Sequence, residues 1–249
     1  MSASDSRPPA ADSDLGRLER DLAQARLALE DFTYSVSHDL RASLRHVTAY
    51  LRIAREDLGD GIDPAVAGHL ETAAGAAAQM GVMMDGLLEL SRLGQAPLHW
   101  GEVDLAALVE EVRERLAEQA QGRSVTWKLA PDLPRVQGDM ALLAMLLTRL
   151  LDNALKFTAR NPAACIGIAW RSAGPGWVEI DVTDDGVGFD PRLQDRLFRV
   201  FQRLHSPREF EGQGIGLALA RRVVERHGGS IRATGAVGKG CCVSLTLPV

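Results

Sequence analysis

From Leu15 the apolar residues fall at Leu15, Leu18, Leu22, Ala25, Leu29, Phe32 and Val36, in alternating steps of three and four. Such steps hold one stripe on a helix and form the heptad seam of a two-stranded coil. The steps lengthen to four through Leu40 and Leu44, before Val47, Leu51 and Ala54, a stutter that relaxes the supercoil. Gly59-Asp60-Gly61-Ile62-Asp63-Pro64 then ends this helix and starts another, with Asp63 as N-cap and Pro64 at the first helical position. The return helix, Ala65 to Leu93, puts Leu70, Ala73, Ala77, Met80, Met84 and Leu87 on one stripe, and its alanines allow close backbone approach. Two such hairpins about a two-fold axis would make a four-helix bundle.

Gly94-Gln95-Ala96-Pro97 reads as a short hinge, after which the periodicity changes. Hydrophobic alternation predicts strands near 125–129, 166–170, 178–182, 230–234 and 243–247. Helical periods run through 105–120, 140–158 and 215–226. Helices grouped with a mixed or antiparallel sheet suggest a two-layer α/β sandwich. The expected organisation is a disordered N-terminus over 1–13, a helical hairpin over 14–94, a hinge over 95–101 and an α/β domain over 102–249.

Composition changes this picture little. The chain of 249 residues is 46% hydrophobic and 24% charged, as expected of a globular protein with a sizeable core. A net charge of -5 gives no reason to expect nucleic acid as a partner. No signal peptide or long apolar run appears, so a cytoplasmic protein without a membrane span is expected. Cys165, Cys241 and Cys242 lack metal-like spacing and read as buried small hydrophobes in a reducing compartment. Only Lys128, Lys156 and Lys239 are lysines, and two of them lie in the motifs below.

Four features carry candidate chemistry. His38 sits on the first helix roughly opposite the seam, with Ala42 and Arg45 near it; a histidine on a polar face is by itself usually a solvated side chain. Asp152-Asn153-Ala154-Leu155-Lys156-Phe157 puts Asn153 and Lys156 on one helix face, where they could also be plain exposed polar residues. Asp184-Asp185-Gly186-Val187-Gly188 follows a strand and, alone, reads equally well as an Asp-Gly turn. Gly212-Gln213-Gly214-Ile215-Gly216-Leu217 opens a helix, a ready site for phosphate when glycines let it approach. No Walker P-loop and no Rossmann fingerprint after a strand is present.

Taken in order, these features resemble the sensor histidine kinases, and among them the soluble cores of the phytochrome-like group. The resemblance covers nearly the whole chain after Asp14 and implies an ATP-binding domain of the gyrase/Hsp90/histidine-kinase/MutL type. The run 152–158 resembles the N-box, where Asn153 would help hold Mg²⁺ and Lys156 would neutralise phosphate charge. The run 182–189 resembles the G1 box, where Asp184 would accept from the adenine amino group and Gly186 and Gly188 would turn the chain. Residues 197–205 resemble the F-box, giving Arg203 a contact to the γ-phosphate, with Phe198 and Phe201 anchoring a lid. Gly212, Gly214, Gly216 and Leu217 fall in the G2 box. Gly238-Lys239-Gly240 fits either the final glycine box or a hairpin turn. His38 matches the phosphoacceptor and Asp39 its general base; His227, though family-like, reads as a helix C-terminus where a cation suits the dipole.

The resemblance implies a homodimer that binds ATP and Mg²⁺, phosphorylates His38 and passes the phosphoryl group to an aspartate of a response-regulator receiver domain. The signal would come from a separate sensor protein or from chain beyond this sequence. Three positions depart from the family. Arg149 replaces the first asparagine of the N-box and cannot serve as the base that related hydrolases place there. Ala42 replaces a Thr or Asn, pointing to weak phosphatase activity, and Ser43 replaces a proline, pointing to a straighter helix. These departures keep open an alternative, a catalytically weak dimeric ATP-binding scaffold or adaptor. The His38-Asp39 helix argues against a third reading, an ATPase or serine kinase of the same superfamily.

Overall fold

The computed structural model describes residues 9–59, 61–206 and 209–249, and the chain divides into two units at Ser91/Arg92. Most of the segment expected to be disordered lies outside the described residues, as does Asp60 of the interhelical turn. Two long helices build the first unit, α1 (Pro9–Leu58) and α2 (Pro64–Gln95). Hence α1 begins inside the segment expected to lack structure. It runs unbroken past Ser43, whose hydroxyl donates to the Asp39 carbonyl at 3.2 Å. The Ala65 N–H donates to Asp63 Oδ1 at 2.7 Å, capping the start of α2.

The hairpin closes on a face that takes in Leu44, Leu51 and Ala54 of the seam and leaves most of the rest open. Ser37 and Ala77 are buried, and ion pairs Arg41–Asp85 and Arg55–Glu71 tie the helices. Leu22, Leu29, Phe32, Val36, Leu40 and Val47 remain exposed, Phe32 by 64%. The side chains of Leu15 and Leu18, the first two seam positions, lie outside the described residues. On α2 the expected stripe holds at Leu70, Ala77, Met84 and Leu87, but Ala73 and Met80 are exposed, and Ala74, Gly81 and Leu88 are covered in their place. A helix apolar on several faces offers more than one stripe, and only packing selects among them.

The second unit is a two-layer sandwich. Its five-stranded sheet has the order β2-β4-β5-β7-β6, with β2 (Ser124–Leu129), β4 (Ala163–Ser172), β5 (Trp177–Asp184), β6 (Ile231–Gly235) and β7 (Cys241–Pro248). The β2–β4 pair is parallel and the other pairs antiparallel. Alternation sends Val178, Ile180, Val182, Val243, Leu245 and Leu247 to one face. That face is covered by α3 (Leu105–Arg115), α4 (Met140–Phe157) and α5 (Gly216–Arg226), through Leu108, Val112, Leu147, Leu151, Leu219 and Val223. Each such side chain contributes about 1.5–3 kcal/mol on burial. The opposite face carries an ion ladder in which Glu179 pairs with Arg171 and Arg232, and Arg171 also reaches Asp181.

Two short strands lie beyond the predicted set. β1 (Trp100–Asp104) pairs antiparallel with β3 (Arg135–Asp139), and β1 begins inside the expected hinge. Trp100-Gly-Glu-Val-Asp104 and Arg135-Val-Gln-Gly-Asp139 each hold too few alternating apolar residues to signal a strand; pairing supplies what pattern lacks. The helix expected over 105–120 ends at Arg115 and continues as a 3₁₀ turn, Ala117–Ala120.

Candidate functional site

The helices of the α/β unit start in two ways. Asp104 caps α3 by accepting from the Ala107 N–H, and Asp139 caps α4 by accepting from the Ala141 and Leu142 N–H groups at 3.0 and 3.1 Å. No side chain caps α5, which is entered from a glycine-rich loop. Its first-turn N–H groups therefore retain donor capacity, the condition for binding an anion.

The last turns of α4 face that loop. A Cβ added at Gly216 would lie 3.9 Å from both Arg149 Cδ and Asn153 Nδ2, and one at Gly212 would lie 3.4 Å from Lys156 Nζ. Lys156 Nζ donates to Asn153 Oδ1 at 2.8 Å. Burial pushes the Lys156 ammonium below the ordinary lysine range; nearby Arg203 adds to this and Asp152 opposes it. Arg203 itself donates to the Phe210 carbonyl. Asn153, Lys156, Arg203 and the 212–217 loop thus converge, with cationic groups beside an uncapped helix start. Gly214 (φ 70) allows the Phe201 N–H to donate to its carbonyl at 2.9 Å, where a Cβ would meet Gln202 O at 2.5 Å. Leu217, half-buried, sits in the first turn of α5.

At the end of β5, burial raises the Asp184 carboxyl to about 6, against backbone hydrogen bonds from Gly186 and Cys241 that favour the ion. The Gly186 N–H donates to Asp184 Oδ1 at 2.9 Å. This segment joins the α4 end directly, since the Val187 N–H donates to the Phe157 carbonyl at 3.2 Å. The 238–240 turn closes the β6–β7 hairpin and also packs here: the Gly238 N–H donates to Val187 O at 2.8 Å, and Gly240 lies against Asp184 O.

Several residues were not anticipated. Phe157, His205 and Phe210 pack ring to ring with centroids 5.1–5.3 Å apart, and His205 Nε2 lies 2.9 Å from Gly188 O. Phe210, not Phe198 or Phe201, is the buried aromatic of this segment; its apolar side chain within a polar loop was the available signal. His227 ends α5 as expected, as its C-cap, but acts there as an acceptor and not as a cation. It is buried, Nε2 accepts the Asp139 N–H at 3.0 Å and Nδ1 lies 2.8 Å from Val223 O, so the ring is the Nδ1–H tautomer. The three cysteines are half-buried rather than buried, and burial raises the Cys241 thiol to about 12.

In the helical unit, His38 is 60% exposed and its Nδ1 lies 3.3 Å from Asp39 Oδ1. Among the described residues no cluster of three His, Cys, Asp or Glu could hold a metal, and none of the helices is long and apolar enough to cross a membrane. Asn153 presents a single amide oxygen, which accepts from Lys156, beside the 212–217 loop. That donor set fits a Mg²⁺ carried in on nucleotide phosphates rather than a resident ion.

Residues 138–249 match the family described as histidine kinase-, DNA gyrase B- and HSP90-like ATPase. The methanogenesis regulatory histidine kinase FilI of Methanothrix harundinacea is 33% identical over 88% of this chain and 24% of its own length. Cyanobacterial phytochrome B of a Nostoc species is 31% identical over 94% of this chain and 31% of its own. The chain thus spans a quarter to a third of these relatives. The adaptive-response sensory kinase SasA of a Synechococcus species is 30% identical over 94% of the chain and 63% of its own length. Among solved structures, full-length ShkA in complex with AMPPNP matches in fold at a TM-score of 0.61, with 24% identity over 88% of this chain and 45% of that one. The mycobacterial sensor histidine kinase MprB matches at 0.51, with 28% identity over 59% of this chain and 96% of that one.

Proposed function

We propose that this chain, whose residues 138–249 match the histidine kinase-, DNA gyrase B- and HSP90-like ATPase family, is the catalytic core of a sensor histidine kinase and uses ATP to phosphorylate its own His38. The observation that carries this reading is the exposed His38–Asp39 pair. With the Nδ1 proton held toward Asp39, the Nε2 lone pair is available for attack. Nε2 bonds to the γ-phosphorus, the bond to the β–γ bridging oxygen breaks, and ADP leaves with that electron pair. Asp39 takes the Nδ1 proton, so the product is a phosphoramidate on a neutral ring. Transfer to a receiver-domain aspartate then regenerates the imidazole.

In the α/β unit, Asp184 accepts from the adenine amino group, where guanine would present a carbonyl and be repelled. Gly186 and Gly188 shape that turn. The 212–217 loop and the α5 N–H groups hold phosphate, Lys156 neutralises it, and Arg203 meets the charge developing on the γ-phosphoryl. Asn153 would hold Mg²⁺, which supplies neutralisation of the β- and γ-phosphates. The exposed apolar stripe of α1 supports a homodimer through a four-helix bundle.

Incubation of the full chain with γ-labelled ATP and Mg²⁺ tests the reading. Label stable in base, lost in acid and missing from His38→Ala is expected; label that persists in His38→Ala would sink it. Arg149, placed beside Gly216 where it opposes a cation, favours one alternative, an ATP-binding scaffold. Retained ATP binding without any label selects that alternative.

A further inference from the structure

Three residues after His38, Arg41 spans the hairpin and pairs with Asp85 of α2. Its side chain is 30% exposed, and Ser37, one turn earlier on α1, is buried. Its Nε–H is buried and has no hydrogen-bond partner among the described residues. The guanidinium thus keeps one donor unused, on the helix turn that follows the candidate acceptor. Residues three apart are neighbours on a helix surface, and a helical side chain leans back over the preceding turn, which for Arg41 is the turn of His38.

We propose that Arg41 is a positioning residue for the phosphoryl group on His38, and that Asp85 parks it there between transfers. The inference rests on His38 being the phosphoacceptor. A phosphoryl group brings nearly two negative charges and three acceptor oxygens, and a guanidinium binds such oxygens with paired N–H donors. The singly charged Asp85, exposed at the hairpin edge, holds the guanidinium until the stronger anion arrives. Phosphorylation then withdraws Arg41 from Asp85 and removes one tie between α1 and α2. Neutralised phosphoryl oxygens push less electron density toward the P–N bond, and the adjacent cation disfavours protonation of the leaving imidazole. Both slow hydrolysis.

Chemical phosphorylation of the full chain with phosphoramidate tests this without using the ATP site. Arg41→Gln should shorten the phospho-His38 lifetime about threefold and move its ³¹P resonance, while Arg45→Gln, which removes the same charge a turn farther along, should do neither. Asp85→Asn should lengthen the lifetime, because the guanidinium is no longer shared. Arg41→Lys keeps a charge across the hairpin and covers the case in which Arg41→Gln does not fold; it should also shorten the lifetime. Wild-type lifetime and resonance in both Arg41 variants, or an unchanged or shortened lifetime in Asp85→Asn, overturns the proposal. A chain that accepts phosphate from phosphoramidate but not from ATP overturns the proposed reaction alone. A His38 that accepts it from neither donor overturns both.

Discussion

Under the proposed reading, Asp184 trades stability for recognition. Burial raises its carboxyl to about 6 from an ordinary 3.8, so between about pH 4 and 6 the folded chain binds the proton more tightly than the unfolded one. Stability from this group is fully present below the unfolded value and is lost as pH rises through about 6. Asp184→Asn removes the buried charge while keeping an oxygen for the Gly186 N–H. It should therefore raise stability by about 2 kcal/mol at pH 8 and by almost nothing at pH 4, read from urea midpoints at both. Its ATP affinity should collapse. For the wild type, affinity measured by calorimetry should weaken as pH falls through about 6, with loss of the ionised acceptor.

Among the elements, the β6–β7 hairpin separates a turn requirement from a site requirement. Gly238 and Gly240 both have positive φ, 72° and 78°, yet a Cβ at Gly238 meets nothing within 4 Å. At Gly240 it would lie 1.9 Å from the Asp184 carbonyl oxygen. Gly238→Ala should cost only the left-handed backbone penalty, about 1 kcal/mol. Gly240→Ala should cost about 3 kcal/mol or more and weaken nucleotide binding, because β5 must retreat from the turn. Denaturant titration of the two variants compares them directly, and equal losses would contradict the packing described. The hairpin makes 238–240 a turn that also packs against the end of β5.

At the scale of the whole molecule, the exposed seam is the feature that one chain does not complete. Leu29, Phe32, Val36, Leu40 and Val47 form a continuous apolar stripe, and each gives about 2 kcal/mol when buried. A second copy covers it under the proposed two-fold arrangement. Leu40→Lys should shift the chain from dimer to monomer in sedimentation equilibrium while leaving the melting of the α/β unit unchanged; a persistent dimer would place the interface elsewhere.

Periodicity and motif order made much of this protein legible before any coordinates. Steps of three and four dictated the hairpin helices, alternation dictated the five central strands, and glycines at turns marked where 184–188 and 212–217 would bend, because local backbone preference and face burial act through near neighbours. Tertiary structure alone decided which α2 stripe is covered, that residues 100–104 and 135–139 pair as strands, and that Phe210 and His205 close on Phe157. It also made His227 a buried acceptor rather than a helix-end cation, and set Arg41 against Asp85. Those outcomes depend on partners distant in sequence, 44 residues away for Arg41 and 88 for His227, and no local pattern encodes a contact that exists only once distant segments have packed.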